Sequence, residues 1–456
     1  MLLRACLRSA SALLASMPLL LPAQSTTRPV SPPAPRPTLV VQITVDQLRP
    51  DYFDRYASQL TGGLGRLMRQ GAFFRNAQHD HATTETAPGH ATLWSGRYPA
   101  HNGVVLNELG VLDAQAPLLY GRGTGASPFR FRGTAFFDWV RAQDPNSRAL
   151  SVSRKDRGAI LPLGRAKQSV FWYGLDGRFT TSRYYGDTVP TWVQQFNAQD
   201  VTKPYLGTPW TLLLDPSAYA EPDSVPVENS GKDFVFPHLL TADPRAGTNS
   251  FTEYPWMDDI TVAFALAGVK AMKLGAGPSM DVLAVSLSTT DAVGHRYGPD
   301  SRELHDQVLR VDRAIGRLMD SLYVLRDSTR IVFALSADHG VSPYPELHFP
   351  GTDPERGRVN PMPPITALKK ALVAKGVDST AVDIMAGIVF VDRAKVRAVG
   401  LNVDSMVTAL QKALKAVPGM QRVDRVRDLA AAARRNDVIA RRWLHSIPED
   451  FQAELT

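Results

Sequence analysis

The chain has 456 residues, of which 44% are hydrophobic and 21% charged, a composition that supports a large core and excludes a disordered, coiled-coil or collagen-like chain. Its 51 Lys and Arg exceed its 44 Asp and Glu by a formal +7, without a run of like charge long enough to bind a nucleic-acid polymer. The length suits about three domains, or one large α/β domain with insertions.

Residues 1–23 combine Arg4 and Arg8 with an apolar stretch through Leu13, Leu14, Met17, Leu19 and Leu21, and a small Ala23 before Gln24. This predicts a secretory signal peptide and a periplasmic or secreted protein. Pro18 and Pro22 interrupt the stretch, so no stable membrane insertion is expected. The only cysteine, Cys6, lies in this segment, which leaves the mature chain without disulfides or a thiol nucleophile. Five prolines between Pro29 and Pro37 make residues 24–37 an expected extended linker.

The first strand follows at Leu39–Val45, apolar and β-branched as in a strand buried on both faces, and it runs directly into Asp46. The segment Thr84–Gly96 then holds Thr86-Ala87-Pro88-Gly89-His90. Proline suits a first turn and glycine a helix end, so a short helix is expected from near Pro88 to Gly96. Thr86 would sit at its N-terminus, where free N–H groups and the dipole favour an anion; a plain N-cap is the other reading. Residues 112–258 have scattered prolines, glycines and aromatics and weak periodicity, and are expected to form a cap-like insertion over the site. Within them Lys155 and Arg157, two positions apart, would point to one side of an extended segment; taken alone they read as a basic surface loop.

Two further buried-strand patterns, Val282–Ser288 and Ile331–Ser336, lead to Asp291 and Asp338. Three strands that each deliver an aspartate beyond the carboxyl end fit an open α/β sheet with its site on that rim. Asp291 and His295, four apart, share one face of a helical turn and could hold a metal ion, although the spacing is common by chance. Asp338-His339 is adjacent and could serve a neighbouring metal or be structural. Their convergence with Asp46 on one rim favours a metal site. A helix is expected from about Asp300 to Leu322, with Leu304, Val308, Val311, Ile315, Leu318 and Leu322 on one stripe. A smaller α+β insertion is expected at about 364–450, with helices at about 366–375 and 403–416 and a strand at 387–391. Two metals could clamp the attacking and leaving oxygens of an in-line displacement, with Thr86 activated by coordination.

In their order and joint occurrence, Val45–Asp51, Thr86–His90, Asn107, Ser153–Gly158, Asp291 with His295, and Ala337–Gly340 resemble one group of enzymes. These are the bacterial periplasmic alkaline phosphatases with a threonine nucleophile, in the alkaline phosphatase and nucleotide pyrophosphatase/phosphodiesterase superfamily. The resemblance implies a three-layer α/β sandwich over 38–456, with a mostly parallel central sheet flanked by helices. It implies two Zn2+ ions, one on Asp291 and His295, the other on Asp46, Thr86, Asp338 and His339. Thr86 would be phosphorylated during turnover, and Asn107, Lys155 and Arg157 would bind the phosphoryl oxygens of a small-molecule phosphate monoester. A monomer is expected. The Lys and Arg pair implies a monoester, because diesterase relatives lack it; a phosphodiesterase or nucleotide pyrophosphatase is the alternative. The group also places a third histidine ligand of the Asp291 and His295 zinc in a late segment. Only His348 and His445 lie downstream of His339. The C-terminal part of the family domain is therefore expected to be missing, with an inactive phosphate-binding paralogue as a further alternative.

Overall fold

The computed structural model describes residues 35–348 and 357–456. The expected signal peptide and most of the linker lie outside them. Six strands form one sheet: β1 (Leu39–Val45), β2 (Ala149–Ser153), β3 (Ser169–Tyr173), β4 (Phe179–Thr180), β5 (Asp281–Leu287) and β6 (Ile331–Ser336), of which β1, β5 and β6 are the long apolar runs. Their order is β4-β3-β2-β5-β1-β6, parallel throughout except for β4. The fold is α/β with a mostly parallel central sheet flanked by helices, as the sequence implied.

Alternation along β5 shows why two helical layers form. Leu283, Val285 and Leu287 pack in one apolar cluster with α3 (Trp256–Met272) and α5 (Arg302–Leu325), while Val282 and Ala284 pack in another with α1 (Thr86–Ser95) and α2 (Asp156–Ile160). Successive side chains leave a strand on opposite faces, so a strand apolar at every position needs cover on both. The stripe expected on α5 is buried at all six positions. Helix α4 (Thr289–Tyr297) lies between β5 and α5 in the chain.

Residues 112–258 depart from expectation, since they supply β2, β3 and β4, half of the central sheet's strands. These strands are two to five residues long, and Ala-Leu-Ser-Val-Ser in β2 lacks the long β-branched run that marks β1. Pairing with β5 buries the β2 serines, a tertiary effect no local pattern reports.

The C-terminal lobe has a three-stranded antiparallel sheet ordered β9-β8-β7, formed by β7 (Val382–Met385), β8 (Ile388–Val391) and β9 (Ala453–Leu455). Ala386 (φ 47) and Gly387 (φ 81) make the two-residue turn between β7 and β8, where left-handed backbone matches the twist of a hairpin. Helices α6 (Met362–Val373), α7 (Val403–Lys415) and α8 (Val438–Ser446) complete it. Among the described residues, no helix is long and apolar enough to cross a membrane.

Candidate active site

The sheet register puts the strand ends level. Val45 lies opposite Leu287, Thr44 opposite Ser336 and Ser153 opposite Ser286. Asp46, Lys155, Asp291, Asp338 and His339 therefore emerge on one rim, at the carboxyl ends of parallel strands. Gly89 lets α1 join them: a Cβ there would lie 2.3 Å from the carbonyl oxygen of Asp338. Gly96, at φ 63, closes the helix in the left-handed region.

Lys155 ties the rim together. Its Nζ donates to Asp46 Oδ2 at 2.7 Å, to Asp291 Oδ2 at 2.6 Å and to Thr86 Oγ1 at 3.0 Å, all in buried surroundings. Thr86 is the first residue of α1, with Glu85 before it in extended conformation, so its hydroxyl faces the rim rather than capping the helix. The anion site expected from free N–H groups is altered. Ala87 N–H donates to Asn107 Oδ1 at 2.8 Å, Pro88 has no N–H, and Gly89 N–H bonds Glu85 O. That bond fixes Asn107, whose own N–H donates to Glu85 Oε2 at 2.7 Å, and turns its Nδ2 group the other way. Donors to an anion at this place would thus come mainly from side chains.

Lys155 and Arg157 do not lie in one extended segment as expected, because α2 begins at Asp156. Gly158 lets the helix pack under the sheet rim, since a Cβ there would lie 2.6 Å from Ser153 Oγ and 2.9 Å from Ser286 Oγ. Both cations nonetheless line the same cavity of about 830 Å³, with Arg122, Arg154, Asp291, His295 and Arg296. Five cations against three carboxylates in its wall suit an anionic ligand.

Asp291 and His295 share one face of α4, with His295 Nε2 3.2 Å from Asp291 Oδ1 and its side chain 71% exposed toward solvent. His339 Nε2 lies 3.2 Å from Asp46 Oδ1 and 3.9 Å from Asp338 Oδ2. Asp46, Asp338 and His339 present ligand atoms within 4.8 Å of one another and can hold a metal ion. Asp46 Oδ1 and Asp338 Oδ2 are buried, and their nearest polar neighbours are imidazole nitrogens, His339 Nε2 at 3.2 Å and His90 Nδ1 at 3.0 Å, in poor hydrogen-bond geometry. Burial opposes ionisation of Asp46, but Lys155 and His339 outweigh it and hold its pKa well below the usual carboxylate range. Burial also opposes the charge on His339, yet Asp338 and Asp46 push its pKa up to about 10. Metal binding at His339 must therefore release a proton. His348 pairs with Asp300 at 3.1 Å, and His445 stacks on Tyr98 with centroids 4.0 Å apart, so both are engaged away from Asp291 and His295.

Three residues escaped the sequence reading as site components. Gln47, at φ 64, donates from its backbone to Asp338 Oδ1 at 3.1 Å and from Nε2 to Asp291 Oδ1 at 3.0 Å, linking the two groups of carboxylates. His90 places Nδ1 2.9 Å from Thr86 O and 3.0 Å from Asp338 Oδ2, and Nε2 2.9 Å from Ser286 Oγ. Arg154 comes within 3.9 Å of Asp291 Oδ2, and burial lowers its pKa. Only their adjacency to recognised motif residues could have marked them.

A family model described as type I phosphodiesterase / nucleotide pyrophosphatase matches residues 40–356. The chain is 35% identical over 336 residues to alkaline phosphatase PhoV of Synechococcus elongatus, covering 69% of this chain and 60% of that protein. It is 33% identical over 330 residues to alkaline phosphatase PafA of Elizabethkingia meningoseptica, covering 68% and 60%. The chain spans about three fifths of the length of the curated relatives it matches. The crystal structure of wild-type PafA matches with a TM-score of 0.83 at 28% identity, over 92% of this chain and 85% of that one. A PafA variant changed at one threonine, one asparagine, one lysine and one arginine matches with a TM-score of 0.84 at 27% identity, over the same shares. With the fold, the rim and these matches in agreement, the chain belongs to the type I phosphodiesterase / nucleotide pyrophosphatase family.

Proposed function

We propose that this chain is a periplasmic or secreted, zinc-dependent phosphatase that hydrolyses small phosphate monoesters through a phosphothreonine on Thr86. The observation that carries this reading is the Thr86 hydroxyl on the sheet rim, 3.0 Å from Lys155 Nζ and beside two groups of candidate metal ligands. The PafA variant supports it, because its changed threonine and asparagine, and its changed lysine and arginine, are spaced as Thr86 and Asn107, and Lys155 and Arg157, are in this chain.

Asp46, Asp338 and His339 with Thr86 would hold one zinc, and Asp291 with His295 the other. Bound there, zinc supplies Lewis-acid stabilisation to the attacking and leaving oxygens. The chain's own groups do the rest. With its hydroxyl proton lost to solvent, the Thr86 oxygen would attack phosphorus in line beside the Lys155 ammonium, which stabilises its negative charge, while the bond from phosphorus to the ester oxygen breaks and that oxygen takes a proton from water. Asn107 Nδ2, Lys155 and Arg157 offer donors to the non-bridging oxygens, of which a monoester has one more anionic than a diester. Gln47 and His90 keep the carboxylates and Thr86 in register. Water entering from the cavity then hydrolyses the phosphothreonine.

The family's name favours a second reading, phosphodiester hydrolysis. Initial rates of the zinc-loaded chain on p-nitrophenyl phosphate and on bis-p-nitrophenyl phosphate separate the two. We expect the monoester to be preferred and a zinc chelator to abolish the rate. Thr86→Ala should lower the rate on the order of 10³-fold or more, without shifting the thermal melt. A preference for the diester overturns the monoesterase, and an active Thr86→Ala variant overturns the nucleophile.

A further inference from the structure

The cavity of about 830 Å³ beside the rim has room for a whole small molecule, not for a phosphoryl group alone. Its charges do not balance. Of the three carboxylates in its wall, Asp291 accepts from Lys155 at 2.6 Å, Asp156 lies 3.5 Å from Arg157, and Glu253 accepts from Arg296 at 3.1 Å. Arg122 and Arg154 are left over. The Arg122 side chain is exposed and makes no hydrogen bond or ion pair among the described residues. Asp176, whose carboxylate lies beside Gly121, is held by two bonds from Arg178, at 2.9 and 2.6 Å. The Arg154 side chain is only 13% exposed, its Nε is buried without a partner, and the carboxylate in its reach, Asp291 Oδ2 at 3.9 Å, is already claimed by Lys155.

A guanidinium that is mostly buried and lacks an acceptor has lost hydration without compensation. An anionic group on a ligand would complete it, and the guanidinium fork takes a carboxylate or a phosphate equally well through two parallel bonds. The same wall also carries apolar surface. Trp172 and Tyr173, at the end of β3, are each 5% exposed, Leu118 is partly buried, and Leu175 is exposed. Such a wall suits a ligand with a short carbon frame and negative charge at both ends.

Building on the monoesterase reading above, we propose that this cavity selects phosphate monoesters whose leaving group carries a second anionic group, a carboxylate or another phosphate, and that Arg122 and Arg154 bind that group. Asn107, Lys155 and Arg157 are taken up by the transferred phosphoryl group, which leaves the two remaining arginines for the far end of the substrate. Arg154 directly precedes Lys155 in the chain and is mostly buried, so it forms the inner contact. Arg122, on the segment bridged at Leu112 and Ala126, is exposed and forms the outer one. The inner contact is the stronger of the two, because water screens a buried pair less.

The experiment measures kcat/KM of the full, zinc-loaded chain on phenyl phosphate, 3-carboxyphenyl phosphate and benzene-1,3-diyl bisphosphate, esters of phenols of similar acidity. We expect one or both of the charged esters to be preferred over phenyl phosphate at least about ten-fold, counted per phosphate, and which of them is preferred identifies the group that the arginines read. Arg154→Gln should cut the preference about ten-fold, as the loss of a charge-assisted bond in buried surroundings, and Arg122→Gln about three-fold, as the loss of an exposed one. The preference is a ratio within each variant, so a general loss of activity cancels. Equal kcat/KM on the three esters in the unaltered chain overturns the proposal, and so does a preference that survives in the double variant. Should Arg154→Gln fail to fold, Arg122→Gln decides, because it changes an exposed position: an undiminished preference there overturns the assignment. No zinc-dependent hydrolysis of phenyl phosphate at all would sink the monoesterase reading instead. Calorimetric titration of the zinc-loaded chain with phenylphosphonate and 3-carboxyphenylphosphonate then tests the second anion site by itself: tighter binding of the carboxylated ligand supports it, and equal affinity overturns it.

Discussion

At the rim of the central sheet, Asp46, Lys155, Asp291, Asp338 and His339 are all buried, whereas in the C-terminal lobe Arg393 and Arg427 meet Asp404, and Arg422 meets Asp437, at partly exposed positions. The residue types are the same and the physics differs. In the lobe, water and salt screen each pair, and stability comes from the apolar cluster of Ile365, Leu372, Val382, Val389, Val407 and Leu410. At the rim the charged groups are buried and lose most of their hydration, so each must be answered by another charge or by a cation, and the answer is geometric. One ammonium, on Lys155, answers two carboxylates at once.

The sharpest way to break this contrast is Lys155→Met. Without the ammonium, Asp46 and Asp291 face each other in dry surroundings, and burial and their mutual repulsion both oppose ionisation. The metal-free protein should lose roughly 3–5 kcal/mol of stability, the range for removing one partner of a buried ion pair. Its zinc-loaded rate should fall on the order of 10²–10³-fold, as for loss of one preorganised donor. Urea denaturation without divalent ions, together with monoester kinetics, measures both. A loss below about 1 kcal/mol, the level of an exposed pair, would mean that water reaches the rim and that the two regions do not differ.

A middle-sized effect is expected where the regions touch. Ile388 and Ile447 of the lobe pack with Val105 and Leu106, directly before Asn107, and Ser446 Oγ accepts from Ala82 N–H at 2.7 Å. Ile388→Ala should cost about 2–5 kcal/mol through the lost apolar contact and the cavity left behind. Because Asn107 is also held by Ala87 and Glu85, the rate of the folded fraction should change far less than in Lys155→Met. A rate loss as large as that of Lys155→Met would show that the lobe positions Asn107 directly.

The same contrast explains what could be read in the sequence. Asp46, Asp291 and Asp338 were legible because each follows a run of β-branched residues long enough to mark a buried strand, and parallel strands end on one rim. The α5 stripe was legible by its period. Strands β2, β3 and β4 were not, because five residues or fewer carry too little pattern and their burial comes from pairing in the sheet, β2 with β5, β3 with β2 and β4 with β3. Lys155 was legible as a cation near the site, but its direction was not: an extended segment was expected, and a helix begins one residue later. Gln47 and His90 act through Asp338, Asp291 and Ser286, partners some 200 to 290 positions away, and no local spacing encodes such contacts.

The smallest effect belongs to the lobe's surface, where Arg393 donates to Glu454 at 2.9 Å and to Asp404 at 3.2 Å. A third of its side chain is exposed, so each pair gives up hydration and side-chain freedom nearly equal to the attraction it gains. Arg393→Ala should therefore cost no more than about 1 kcal/mol, and the cost should shrink as salt is raised toward about 1 M, where screening acts within roughly 3 Å. Lys155→Met should keep its full cost under the same salt, because Asp46 and Asp291 are buried and salt screens buried charges little. Denaturation of both variants at low and high salt compares the two regions on one scale. Equal salt sensitivity would show that the rim is wet, and would remove the physical basis for treating its charges as a site.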